Sequence, residues 1–494
     1  MHNGRYWLQT LGCPKNQVDS DKLAGLLGAD GLERCARPEL ADLLVVNTCA
    51  FIEAARQESI DTVLQLAEAR RPGARLVVTG CMAERYGAEL AAALPEVDLV
   101  AGFGQPLVPP KPLVPPKALV PPKALVPPKA VATTPTSVQV SLGPRRDASP
   151  AAASVFDLLS LPRPASAVPW AYVKVAEGCD RRCGFCAIPS FRGAQRSRPP
   201  ADVLAEVEAL AGDERMPVKE IVLVAQDLAS YRRDRTTPNR RTGSSGRPAP
   251  LVSLVRSVAG IVARTRLLYL YPSGLTDELV DVVLATGVPY FDLSLQHVSR
   301  PLLARMRRHG DGERFLERID AIRRAAPYAT FRSSFILGYP GETEEDHDAL
   351  LAFLDAAQLD WAGFFAFSKE TGTFAEGLGG QVPEELALER LRECAELQDA
   401  ITARRRDALV GEVREVLVDA PGRGRTVHEA PEIDGIVRVP GWLPVGTLFD
   451  VVVTASLGTD LVGAPVAPRE AAPARALAGG TPLAGLGAGL GAGR

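Results

Sequence analysis

The chain has 494 residues, of which 46% are hydrophobic and 23% charged, and its formal net charge is −3. That is the length of about three to four typical domains with ordinary globular composition, and the charge excludes a strongly basic nucleic-acid-binding body. No run of roughly eighteen apolar residues predicts a membrane span, and "MHNGRYWLQTLGCPKNQ" lacks a signal-peptide core, so the sequence predicts a cytoplasmic protein whose clustered thiols stay reduced.

Residues 1 to 105 alternate apolar runs with helical patterns. "YWLQTLGC", "ADLLVVNTC" and "ARLVVTGC" predict three buried parallel strands, with helices at "SDKLAGLLG" and "IEAARQESIDTVLQLAEAR". Cys13, Cys49 and Cys81 close these strands. In an open parallel α/β sheet the C-terminal strand ends share one edge, so the three thiols are predicted to converge there. A single cysteine at such a place is an ordinary buried hydrophobe.

The composition then breaks. From 106 to 129 the hexapeptides PLVPPK, PLVPPK, ALVPPK and ALVPPK run in tandem. Paired prolines fix φ and remove donors, which predicts a semi-rigid spacer reaching at most roughly 75 Å at ~3.1 Å per residue. An irregular Ser/Pro/Ala-rich stretch extends this linker to 164.

From 165 to 400 six strand candidates, "AYVKVA", "EIVLVA", "RLLYLY", "YFDLSL", "TFRSSFIL" and "AGFFAF", alternate with helices. The helices include "ADVLAEVEALAG", "LVSLVRSVAGIVAR", "TDELVDVVLATG" and "TEEDHDALLAFLDAAQ". Such a series predicts a partial (β/α)6 barrel with its chemistry at the strands' C-terminal ends. An arginine-rich insertion (232 to 250) reads as a solvated loop, and "PEELALERLRECAELQDAITARRRDAL" as a long exit helix. Residues 401 to 468 end in short β-like runs that predict a small β-barrel, and 469 to 494 read as a disordered tail.

The stretch "EGCDRRCGFCAIPSFRG" (177 to 193) packs Cys179, Cys183 and Cys186 into eight positions. On a helix they would share one buried face, but Gly178, Gly184 and the run Asp180–Arg182 favour a loop that gathers three thiols. Zinc lacks an obvious fourth ligand nearby, and paired C-x2-C is its commoner pattern. A four-iron cubane is usually held by four cysteines, so three leave one iron open, as catalytic zinc keeps an open position.

C-x3-C-x2-C after a first β/α strand resembles the radical S-adenosylmethionine superfamily. The resemblance implies a 4Fe-4S cluster on these cysteines whose open iron chelates S-adenosyl-L-methionine, which is then cleaved to a 5′-deoxyadenosyl radical. "TLGCPKNQVDS", "VVNTCAF" and "VVTGCMAERY" are similar to the methylthiotransferase family within it. That resemblance implies a second 4Fe-4S cluster on Cys13, Cys49 and Cys81 carrying the sulfur to be donated, and a C-terminal TRAM-like barrel. By barrel logic the remaining cofactor contacts sit at strand ends: Gln226, Ser273, Gln296, Arg332, Ser334 and Gly338. No catalytic acid, base or nucleophile is singled out, and His297 reads equally as structural or functional. Cys35 and Cys394 match no family ligand.

"CAIPSFRG", "SLQHVS" and "EAPEIDG" resemble the RimO branch of the family. This implies a substrate aspartate, modified at its β-carbon, in the twelfth ribosomal protein of the small subunit. It also implies an electron donor such as a flavodoxin-type protein and a sulfur donor. Between 410 and 465 eight acids face four bases, an acidic barrel predicted to dock a basic ribosomal protein rather than transfer RNA. Methylthio transfer to a modified adenosine of transfer RNA, and a non-catalytic metal-stabilised binding protein, stay open as other readings.

Overall fold

The structure is a computed structural model that describes residues 4–108, 155–235 and 248–466. The proline repeat beyond Val108, most of the arginine-rich insertion and the tail lie outside the described residues.

In the N-terminal unit the strands are β1 (Arg5–Thr10), β2 (Glu33–Arg34), β3 (Leu43–Thr48), β4 (Arg75–Gly80) and β5 (Leu99–Val100). They form one open parallel sheet in the order β2-β1-β3-β4-β5. Helices α1 (Pro14–Ala29), α2 (Glu53–Ala69) and α3 (Cys81–Ala93) join them. All six β3 residues are buried, which is why that run shows no polar alternation. Residues 155–163, read as linker, pack here: Leu158 and Leu159 are buried, and Lys22 donates to the carbonyls of Leu159 and Leu161.

The middle unit opens with β6 (Trp170–Lys174), β7 (Ala176–Glu177), α4 (Ile188–Arg192), β8 (Arg196–Ser197) and α5 (Pro200–Ala211). It continues with β9 (Glu220–Val224), α6 (Pro250–Ala259), β10 (Arg264–Leu267), α7 (Asp277–Ala285) and β11 (Tyr290–Gln296). Then come α8 (Arg300–Arg305), α9 (Gly312–Ala325), β12 (Thr330–Leu337), α10 (Glu344–Ala357), β13 (Trp361–Ala366) and the exit helix α11 (Glu384–Asp407). Strands β6, β9 and β10 form one parallel sheet and β11, β12 and β13 another; a parallel bridge between Leu270 and Leu293 joins them into an open barrel. Thr276, Ser299, Asp311 and Thr343 cap the helices α7 to α10 with side-chain oxygens.

Alternation along each strand separates two faces. Ile221, Leu223, Phe291, Leu293, Phe331 and Phe335 pack under the helices. Tyr172, Val222, Val224, Leu268, Tyr290 and Trp361 form a separate cluster inside the barrel. The sequence reading ran the sixth helix through Arg264. Instead α6 stops at Ala259, and Arg264 and Arg266 are strand residues, 2% and 0% exposed.

Those arginines meet the C-terminal unit. Strands β14 (Val413–Ala420), β15 (Arg423–Arg425), β16 (Val437–Arg438), β17 (Leu448–Leu457) and β18 (Asp460–Pro465) close a small barrel in the order β14-β15-β16-β18-β17. Its 425–434 segment plugs the base of the larger barrel. Arg264 and Arg266 donate to the carbonyls of Arg425 and Val427, Tyr172 to that of Pro431, and Trp361 to that of His428. Glu220 takes Arg266 at 2.7 Å and Arg425 at 2.9 Å.

This corrects the reading of the small barrel as a free acidic surface. Of its eight acids, Glu415 pairs with Arg264, Glu429 with Arg406 and Asp434 with Arg332, all on the larger body. Glu412, Asp419 and Asp460 pair with arginines of the small barrel itself. The acidic excess is largely counter-charge for a clamp between the two barrels. Among the described residues no helix is long and apolar enough to cross a membrane.

Candidate functional site

Three cysteines leave their strands through a glycine. Gly12, Gly80 and Gly178, at φ 89°, 92° and 79°, precede Cys13, Cys81 and Cys179. A Cβ on Gly12 would stand 2.9 Å from the Cys49 sulfur, and one on Gly80 2.7 Å from the Thr48 nitrogen. Only glycine allows both the left-handed turn and these close approaches.

Cys13 caps α1, Cys49 follows β3 and Cys81 opens α3, so all three stand at the C-terminal edge of the first sheet. Burial, helped by Cys13 and Cys81, pushes Cys49 up to about 12. Burial also raises Cys81, with Cys13 acting in the same direction. Burial pulls Cys13 upward too, but Lys15, Arg192 and the amides of Lys15 and Asn16 outweigh it, and its thiol is lowered. Each of the three thiols thus feels at least one of the others.

Cys179, Cys183 and Cys186 lie on the loop between β7 and α4. Backbone bonds from Cys179 to Gly193 (3.0 Å) and from Gly184 to Met306 (2.8 Å) fix that loop across the barrel mouth. Burial, with Cys183 nearby, raises Cys179 to about 11; burial, with both loop neighbours, raises Cys186 to about 12. Arg308, stacked on Tyr271, reaches the Cys183 sulfur at 3.5 Å.

One side chain joins the two sets. Arg192 ends α4 in the loop of the second triad, yet it donates to the Cys81 sulfur at 3.0 Å and to Asn16 at 2.6 Å. Its other nitrogen meets Asp19 at 2.8 Å and Glu177 at 3.0 Å. Lys174 bonds the same two carboxylates. Burial lifts Glu177, but Arg192 and Lys174 hold it down at about 2, well below the usual carboxylate range.

Each set offers three soft donors, as a cluster with one open iron requires. Among the described residues no three His, Cys, Asp or Glu side chains close round a point as a single ion demands. Buried cations stand beside Cys13 and Cys81 and would offset the charge of thiolates bound to a metal group.

The other expected positions differ in fate. Gln226 donates to Glu177 at 2.6 Å, next to the second triad's loop. Gln296 ends β11 at φ 73°, and Gly338 leaves β12 at φ 74° with its amide on Glu342. Ser334 follows Arg332 by two and so shares its inward face. Ser273 lies exposed in the turn after β10. Arg332 is already committed to Asp292 at 3.0 Å and Asp434 at 3.5 Å. His297 is buried, accepts the Ser299 amide, and is lowered to about 4 by burial. Cys394 is buried in α11 and Cys35 bonds local carbonyls, away from both triads.

Sequence reasoning passed over Lys15, Asn16, Asp19, Lys174, Glu177 and Arg192. Most lie inside the quoted cysteine stretches, where residue type alone did not separate partners from linkers.

Three family models match the chain: "Uncharacterized protein family UPF0004" over residues 5–102, "Radical SAM superfamily" over 173–354 and "TRAM domain" over 410–466. A curated relative from Moorella thermoacetica, "Ribosomal protein uS12 methylthiotransferase RimO", is 40% identical over 451 residues, covering 90% of this chain and 95% of the relative. Proteins of the same description from Streptomyces coelicolor and Salinispora tropica are each 40% identical. They cover 93% and 95% of this chain, and 96% and 97% of their own lengths.

Proposed function

The chain belongs to the RimO family of ribosomal protein uS12 methylthiotransferases, and from that membership we propose that it adds a methylthio group to the β-carbon of an aspartate in uS12, the twelfth ribosomal protein of the small subunit. The observation that supports it best is the bond from Arg192, in the loop of one cysteine set, to Cys81 of the other.

The cofactors of the family are two 4Fe-4S clusters and S-adenosyl-L-methionine. When bound, they supply the electron, the transferable sulfur and the methyl group that no side chain can provide. We assign Cys179, Cys183 and Cys186 to one cluster and Cys13, Cys49 and Cys81 to the other. The chain's own residues bind and orient. Arg192 holds the two loops in one register through Cys81 and Glu177. Glu177 in turn fixes Gln226, which with Ser273, Gln296, Ser334 and Gly338 is assigned to S-adenosylmethionine contacts. Arg332 is assigned there only through Asp292, since its own charge is taken. The 425–434 plug shuts water out of the barrel base. Function in the cytoplasm, with a flavodoxin-type electron donor and a separate sulfur donor, completes the proposal.

The test is incubation of reconstituted enzyme with purified uS12 and, in parallel, unmodified transfer RNA. Mass spectrometry is expected to find one added methylthio group on a uS12 aspartate and none on the RNA. A gain on RNA alone favours the transfer RNA reading. Zinc in place of iron and sulfide favours the metal-stabilised binding protein.

A further inference from the structure

A substrate aspartate brings a charge with it. Its carboxylate is bonded to the carbon that is modified, so it must enter the barrel mouth together with the reacting atom. Burying that charge requires a cation with free donors. Most cations there are already spoken for. Lys174 and Arg192 share Asp19 and Glu177; Arg332 has Asp292 and Asp434; Arg181 has Asp227 at 2.6 Å.

Lys15 is different. It sits in the first turn of α1, two residues after Cys13, and is 8% exposed. Its ammonium lies 3.2 Å from the centre of the Tyr269 ring, and among the described residues no hydrogen bond or ion pair to a carboxylate engages it. Asp292, the carboxylate whose charge reaches Lys15, is occupied: Arg332 bonds one oxygen and the Tyr269 amide the other, at 2.9 Å. Cys13 is the remaining negative neighbour, and ligation to iron would claim its thiolate. An ammonium carries three donors and no acceptor, so a buried one left without an anion makes a receptor for one. Among the described residues Arg308 is also buried at this mouth without a carboxylate, but it bonds the Ser294 carbonyl and lies on the Cys183 side, while Arg182 and Arg307 are exposed.

We propose that Lys15 binds the carboxylate of the substrate aspartate and so sets its β-carbon beside the Cys13 triad. The assignment rests on the function proposed above. It makes Lys15 a specificity-determining residue: asparagine, isosteric but neutral, leaves the ammonium uncompensated.

The test is a binding cycle on the reconstituted enzyme. A peptide spanning the modified aspartate of uS12, and its asparagine counterpart, are titrated against wild type, Lys15→Met and Lys15→Arg by fluorescence anisotropy, with iron content checked for each. Wild type is expected to prefer the aspartate peptide by about tenfold or more. Lys15→Met is expected to bind both peptides equally, at the asparagine level, and Lys15→Arg to keep part of the preference. A Lys15→Met enzyme that discriminates as wild type does overturns the assignment alone. A wild type that neither binds nor modifies the aspartate peptide overturns the proposed function and Lys15 with it.

Discussion

Replacing Cys81 by alanine is expected to abolish methylthio transfer, a loss of about three orders of magnitude or more, and to halve the iron and sulfide bound. Cys81 is buried and its sulfur is one acceptor of Arg192, so the substitution removes an iron ligand while the guanidinium keeps Asn16, Asp19 and Glu177. Arg192→Met keeps all six thiols but removes the support of Cys81 and one of the two counter-charges of Asp19 and Glu177, for which a fall of about 10- to 100-fold is expected in iron affinity or turnover. Cys394→Ala is the control: that thiol is buried in the exit helix, outside both sets, and full iron content is expected. Iron and sulfide analysis beside turnover reads all three. Full iron in Cys81→Ala would sink the ligand assignment.

Replacing Glu220 by alanine is the change expected to cost most in stability. Its side chain is fully buried and neutralises Arg266 and Arg425, which reach it from different units. Removing it leaves two buried guanidinium groups short of charge, a penalty of about 3–5 kcal/mol against a total stability of about 5–15 kcal/mol. Denaturant unfolding is expected to show that shift; a change under about 1 kcal/mol would mean that water reaches the interface. The same contact sets an acid limit. Burial lifts Glu220, but Arg425 and Arg266 bring it down to about 2, and Arg406 does the same for Glu429. A carboxylate depressed by folding stabilises above its ordinary value of 4.5 and loses that contribution as pH falls towards 2, about 3 kcal/mol for each. Asp434 runs the other way: burial raises it to about 6, so it costs stability as pH climbs from 3.8 to 6. Detachment of the small barrel is thus expected between pH 4.5 and 2, seen as loss of near-ultraviolet circular dichroism.

The parts of this fold that can be read from sequence are those where one residue type has one use. Leu43 to Val46 is an unbroken apolar run that only a buried strand of that length accommodates, and three cysteines at strand ends share an edge by topology. Arginine has no such single use. Arg264 looked like the end of a helix, and Arg266 like an ordinary strand residue with no special role, because their partners, Glu415 and Glu220, lie far away in the chain. The same blindness made the small barrel look acidic, since its counter-charges sit on α11 and on β10 and β12. Strands β15 and β18 are hidden for another reason: β15 has only three residues, and Gly424 and Gly463 interrupt their apolar patterns. Lys15 and Arg192 stood in quoted motifs, yet only their placement relative to Cys13 and Cys81 separates them from ordinary surface charge.

The plug at 425–434 also dictates when this molecule can finish folding. Its bonds to Tyr172, Arg264 and Glu220 span 259, 161 and 205 residues of chain. On the ribosome the larger barrel emerges first, with Glu220 holding only Arg266 and with Arg264 still lacking its acceptors on the small barrel, in a wet, open-ended cylinder. Contacts of such long sequence separation form late and slowly. A nascent chain cut short after the exit helix is therefore expected to lack a dry interior.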